Sequence, residues 1–393
     1  MTFTTTLEPV AIPTKLKQAR LAVSLFYFVL GLCFATWASR IPVLKTVLGL
    51  SEAELGTILL MLPAGQLLTM PLAATLVNRL GSKFVLPLAA MSYAVLLIFI
   101  GLSTNAWWLG AALFVYGIGS NLSNIAINTQ GVLVEEQYGK SIMSSFHGAW
   151  SLGGFAGSLI GLLTLNLKLS SVTHFCIISA LLILIILFSK RYLIRETKTQ
   201  ESEEKKQKFK PDGIIFQLGI IGFFSMATEG AMFDWSGVYF SEVIHAPLEW
   251  VTIGFTSFMI MMASGRFIGD WIIEKFGRKR TLQGSGLLMF TGMMASVLFP
   301  NFYVGIVSFM LVGLGVACNV PTVYSLTGRH ERIPAGVAIA MVSSISFMGF
   351  LVGPPLIGYI AELFNLQYSF ALFSLFGLCM FIMTSRLKFF ANL

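Results

Sequence analysis

Runs of about twenty apolar residues recur along the whole chain, each long enough to cross ~30 Å of hydrocarbon as a helix. Twelve are predicted, over residues 19–41, 51–78, 82–102, 106–133, 139–165, 171–193, 213–240, 249–274, 280–299, 301–328, 334–362 and 367–387. The runs are continuous and do not alternate with period two, which selects helices over barrel strands. An all-α polytopic membrane protein with twelve transmembrane helices is therefore expected. Composition points the same way: 56% of residues are hydrophobic and only 11% charged, against about a quarter charged in soluble domains. The first apolar run is too long for the core of a cleavable signal.

The formal net charge of +8 matters through its placement. An even number of spans puts both termini on one side. That side carries Lys15, Lys17, Arg20, Arg79, Lys83, Lys140, Lys275, Arg278, Arg329, Arg332 and the charged stretch near residue 200, whereas the other side has Arg40, Lys45 and Lys168. The positive-inside rule then predicts a multi-pass inner (plasma) membrane protein with both termini cytoplasmic. The basic excess reads as topology, so no nucleic-acid partner is expected. Cys33, Cys176, Cys318 and Cys379 each fall alone in a span, without metal or redox spacing. They read as small core residues, and no cofactor or metal is implied.

"RETKTQESEEKKQKFKP" (195–211) is the longest polar run, and it separates six spans from six. Its mixed charges mark a solvated cytoplasmic linker. The expected organisation is a six-helix half over 1–193, a linker over 194–212 and a second half over 213–393. The halves repeat: "TMPLAATLVNRLGSK" (69–83) lies over "GRFIGDWIIEKFGRK" (265–279), and "YGIGSN" (116–121) over "VGLGVA" (312–317), both at an offset of 196. Trp37 lies over Trp235 at 198. Two six-helix halves related about the membrane normal, with a site at their interface, are a transporter plan.

The loops "NRLGSK" (78–83) and "EKFGRKR" (274–280) resemble the signature loops of the major facilitator superfamily. Gly81 and Gly277 permit tight turns, and basic residues follow. The resemblance covers essentially the whole chain and implies that fold, with alternating access as its mechanism. It also implies a conformational lock in these loops, carried here by Asn78, Arg79, Gly81 and Lys83 in the first half and by Asp270, Glu274, Gly277 and Arg278 in the second. Asn78 stands where the family pattern has an acid. "ATWASRIPVLKTVLGLSEAELG" (35–56), "SFHGAWSLGGFAGS" (145–158) and "EGAMFDWSGVYF" (229–240) resemble the YbjJ-like branch, which names no solute.

Charge inside a span costs at least ~2.5–3.5 kcal/mol on insertion scales, so Glu229 and Asp234 mark function. They lie about 7.5 Å apart along the seventh helix and roughly 140° apart around it. Separate tasks follow from that geometry. Glu229 is the first candidate for proton coupling. Asp234 is a second, and also a candidate gate partner for Arg40 across the outer mouth. His147 is a possible proton relay. Asn121, Asn124 and Asn128 form one stripe on the fourth helix at steps of three and four. With Trp150, Trp37, Trp235, Asn319 and Tyr324 they form the expected substrate-binding set.

A secondary active transporter working as a monomer is expected, most simply a proton-coupled symporter of a neutral or weakly polar, sugar-like solute. A proton-driven efflux antiporter is the alternative within the same class, and a transport-fold sensor is the alternative outside it. No enzyme chemistry is indicated.

Overall fold

The computed structural model describes residues 13–139, 142–195, 213–328 and 333–386. Most of the charged linker, 196–212, lies outside the described residues, as do Lys140, Arg329 and Arg332. The described chain is helical throughout. In the first six crossings, α1 (Thr14–Ala38) continues into the short α2 (Ile41–Leu48), and α3 (Glu52–Leu59) with α4 (Met61–Leu80) makes the second crossing. There follow α5 (Ser82–Gly101), α6 (Ala106–Tyr138), α7 (Met143–Asn166) and α8 (Ser171–Ser189). The second six begin with α9 (Gly213–Glu242) and α10 (Ile253–Leu298). The pair α11 (Phe302–Ala317) and α12 (Asn319–Thr327) is followed by α13 (Ala335–Leu363) and α14 (Leu366–Arg386).

Among the described residues, eleven helical runs are long and apolar enough to cross a membrane, and one of them, Leu248–Leu298, is long enough for two crossings. The 46 residues of α10 would extend about 69 Å if straight, more than twice the hydrocarbon thickness. Gly277, at φ 77° and ψ 160°, breaks it. That backbone region is essentially closed to residues with a Cβ. Proline sets two other interruptions. Pro63 and Pro321 each lack an N–H and crowd the carbonyl four residues back, and the helix breaks at Leu60 and at Cys318.

The internal repeat is built into the packing. A Cβ on Gly117 would lie 2.1 Å from the Leu62 carbonyl oxygen, and one on Gly313 would lie 2.3 Å from that of Phe258. Both members of the second pair stand 196 positions after the first. Asn105 and Asn301, at the same spacing, each accept from a backbone N–H at the start of a helix. Gly153 packs on the Phe28 carbonyl and Gly349 on that of Phe223. The last match fixes the offset between α1 and α9 at 195. Trp37 therefore corresponds to Met232, and its sequence pairing with Trp235 is three residues out of register. Both indoles are buried, so burial alone does not distinguish the two registers.

Cys33 and Cys318 are buried as expected, but Cys176 and Cys379 lie on the outward surface. A span is apolar all round because lipid is as apolar as the core, so hydropathy alone does not say which face a small residue occupies.

Candidate functional site

A cavity of about 760 Å³ lies between the two sets of six helices, within the usual size of small-molecule sites. Its wall takes residues from α1, α4, α6 and α7 on one side and from α9, α10, α12 and α13 on the other. It is closed at the face away from the termini. There a Cβ on Gly358 would stand 2.4 Å from the Glu52 carbonyl oxygen, so α13 and α3 touch backbone to backbone. The Ala53 N–H donates to Glu362 at 3.2 Å, and the Asn166 amide donates to the Glu249 carbonyl at 2.9 Å. The Thr252 hydroxyl donates to the Ser39 carbonyl at 3.1 Å. Lys45 lies between Glu52, at 3.1 Å, and Glu242 of the opposite half.

The seventh crossing carries the charged part of the wall. α9 is a regular helix, and Met226, Glu229, Gly230, Phe233 and Asp234 all line the cavity. They span an arc of roughly 140° at 100° per residue, with the two acids at its opposite edges. Glu229 is paired: Arg266 Nη2 donates to its Oε1 at 3.0 Å, while Arg266 Nη1 donates to the Ser151 hydroxyl at 2.9 Å. Arg266 also stands over the Trp150 ring, 5.5 Å from its centroid. One guanidinium thus joins an acid of its own half to a hydroxyl and a ring of the other.

Asp234 is not bridged to Arg40. Arg40 is 1% exposed and points into the first half, where its Nε donates to His174 Nδ1 at 3.1 Å and its Nη2 to the Thr164 hydroxyl at 2.8 Å. The proposed outer-mouth pair is corrected on this contact. Register does not decide it, since an offset of 195 sets Asp234 opposite Ser39, next to Arg40; the Arg40 side chain instead turns to α7 and α8 of its own half. His174 is a buried member of α8. The inter-half ion pair at the closed face is Lys45–Glu242.

The remaining predicted residues divide. Asn121, Asn124, His147, Trp150, Trp37 and Tyr324 line the cavity. Asn128 does not: it accepts from the Tyr27 hydroxyl and donates to Asn124, both at 2.8 Å. Asn319 is fully buried against Ser225 and Met289, at 2.9 and 3.5 Å, and Trp235 donates its indole N–H to the Pro354 carbonyl at 3.2 Å. These three hold helices together outside the wall. Arg266, Lys45, Glu52 and Glu242 were missed. The cost of charge within a span that flagged Glu229 applies equally to Arg266 in "MIMMASGRFIGDW".

At the termini face, Gly81 has φ 86° and ψ 140°, and Gly277 nearly the same values. They turn the chain between the second and third and between the eighth and ninth crossings. The family model of the Major Facilitator Superfamily matches residues 23–335. The chain belongs to the Major Facilitator Superfamily. It is 31% identical over 351 residues to an uncharacterized MFS-type transporter of Yersinia pestis, covering 89% of this chain and 91% of that protein. Among solved structures, it is similar in fold to a bacterial homolog of the human lysosomal transporter Spinster in an inward-facing, occupied conformation. That match has a TM-score of 0.76 at 14% identity, over 93% of this chain and 96% of that one. The nucleoside transporter NupG matches with a TM-score of 0.73 at 14% identity, over 96% of this chain and all of that one. Members of the superfamily are transporters and not enzymes, and this chain is an integral, multi-pass member.

In superfamily terms, the turns at Gly81 and Gly277 are the signature loops, and their residues lie outside the cavity wall. Asn78, Arg79 and Lys83 flank Gly81, and Asp270, Glu274 and Arg278 flank Gly277. Arg278 Nε donates to the Ser325 hydroxyl at 3.3 Å, and Lys275 stands over the Trp271 ring at 4.7 Å. Neither Asp270 nor Glu274 forms an ion pair among the described residues. The three ion pairs among the described residues lie at the cavity or at the closed face.

Proposed function

We propose that the protein is a proton-coupled secondary transporter that moves a small organic solute by alternating access. Its solute is sugar-like in size and carries hydrogen-bonding groups, matching the amides of Gln66, Asn121 and Asn124 in the wall. The orientation follows the basic residues, with both termini cytoplasmic in the inner membrane, and the conformation described is then inward-facing. The protein works as a monomer, since each chain encloses its own cavity.

The observation that carries this reading is the Glu229–Arg266–Ser151 link. A buried ion pair is stable only while both members are charged, and losing one partner costs about 3–5 kcal/mol. Protonation of Glu229 releases Arg266, and Arg266 is also a tie to the other half of the molecule through Ser151 and Trp150. Proton binding and movement of the halves are thereby linked at one guanidinium. Uptake symport follows if the proton and solute enter together from the far face and leave through the open end.

The test is solute flux into proteoliposomes with an imposed pH gradient. Glu229→Gln is expected to bind solute, to exchange it across the membrane without net accumulation, and to lose its response to the gradient. Gradient-driven accumulation retained in Glu229→Gln excludes Glu229 as the coupling group.

A further inference from the structure

The charged side chains lining the cavity are Glu229, Arg266 and Asp234, and His147 is the other basic group in its wall. Glu229 and Arg266 neutralise each other. Asp234 has no ion-pair or hydrogen-bond partner among the described residues, although it is largely enclosed. Its place on α9 is fixed by neighbours on the same face. Gly230 and Gly237 lie one turn to either side of it. A Cβ on Gly230 would meet the Phe350 ring at 2.9 Å, and one on Gly237 would meet Pro42 of α2 at 2.7 Å. Asp234 thus stands at the blind end of the cavity, just inside the contact that closes the far face.

The cavity wall that Asp234 shares is aromatic. Phe233 is in edge contact with Phe34 at 5.0 Å and with Trp150 at 6.4 Å, and it stacks with Phe350 at 6.2 Å. Aromatic faces attract organic cations, and Trp150 already holds the Arg266 guanidinium in this way. A bare metal cation is a poor fit, because hard cations need several oxygen ligands and these rings supply none. Trp37 lines the same cavity, is 1% exposed, and its indole N–H has no acceptor among the described residues. That unpartnered donor points to an acceptor oxygen on the same solute.

We infer that the solute is a small organic amine bearing hydroxyl or carbonyl oxygens, bound with its ammonium group at Asp234 against the Phe34–Phe233 wall. The inference rests on the transport reading above and narrows its solute. It divides labour between the two acids: Glu229 handles the proton, and Asp234 is the counter-ion of the cargo.

The experiment measures thermal stabilisation and affinity of the purified full chain with matched compounds sharing one carbon skeleton. The probes are glucosamine, glucose and glucuronate, with benzylamine, benzyl alcohol and benzoate as an aromatic set. Amine members are expected to bind, and alcohol and carboxylate members to bind at least tenfold more weakly. Asp234→Asn is expected to abolish the preference for amine, and Asp234→Glu to retain part of it. Cys379→Ser, on the exposed surface, should leave the order of affinities unchanged and serves as the control for folding. Failure of every amine to bind overturns the inference, as does equal binding of alcohol and amine, or amine binding unchanged in Asp234→Asn. Stabilisation by sodium chloride over tetramethylammonium chloride that Asp234→Asn abolishes also overturns it, in favour of an inorganic cation. Flux of glucose or benzyl alcohol without amine binding overturns the inference alone. Amine binding without proteoliposome flux supports it and overturns the transport reading.

Discussion

Among the contacts that close the far face is one in which nothing but hydrogen fits. Gly56 and Gly358 belong to opposite halves, and a Cβ on Gly358 would lie 2.4 Å from the Glu52 carbonyl oxygen and 2.9 Å from the Gly56 Cα. The atoms met are backbone, so no rotamer change relieves the overlap. Gly358→Ala therefore pushes the two halves apart at the closed face. Overpacking of this kind costs about 1–3 kcal/mol. The penalty falls only on the far-closed state, because the contact does not exist once the halves separate there. The ratio of far-open to far-closed molecules should rise by about 5–150-fold. Spin labels at Leu167 and Tyr303, which are 70% and 78% exposed on the two halves, report the separation directly. The exposed Cys176 and Cys379 are replaced by serine beforehand. The long-distance population is expected to grow in Gly358→Ala and to grow further in Gly358→Val. Gly153→Ala is the control: its Cβ would lie 2.1 Å from the Phe28 carbonyl oxygen within one half, so it lowers thermal stability without separating the labels. Unchanged label distances in Gly358→Val would refute the assignment of this contact as part of the closure.

Other outcomes follow from single contacts. Lys45→Gln removes the cation shared by Glu52 and Glu242, and the same labels should show partial opening, smaller than in Gly358→Val because the pair is partly solvated. His174→Phe leaves the Arg40 guanidinium without one acceptor and should lower stability by about 1–3 kcal/mol, read as an earlier unfolding transition in detergent. Gly277→Ala meets no atom within 4 Å yet should cost about 1–3 kcal/mol through backbone strain alone. Asparagine there should be no better than alanine, because the side chain cannot make ψ 160° acceptable. Asn105→Ala and Asn301→Ala each remove one helix cap, and each should lower stability by about 0.5–2 kcal/mol, with similar shifts in calorimetry if the repeat is energetically matched.

The sequence by itself determined the solvent, the crossings and the duplication. Hydrocarbon requires every backbone group to be satisfied within its own helix, so a count of apolar runs is nearly a count of crossings. Glycine marked the turns at Gly81 and Gly277, because backbone limits are local and need no knowledge of neighbours, whereas the interruptions at Leu60 and Cys318 appeared only in the structure. The acids of α9 were legible for the same reason, as charge within a span is costly wherever it lies. Partnership was not legible. Arg266 and Arg40 are both cations within apolar runs, and only the packing shows that one meets Glu229 while the other turns to His174. Register alone still sets Asp234 beside Arg40, and only the direction in which the Arg40 side chain turns separates them. The split of the polar residues was hidden too, since Asn121 in the wall and Asn319 in the packing have the same chemistry. A membrane helix is apolar toward lipid and toward its neighbours alike. Which face meets the cavity, and which acid is left without a cation, is therefore decided by the tertiary structure.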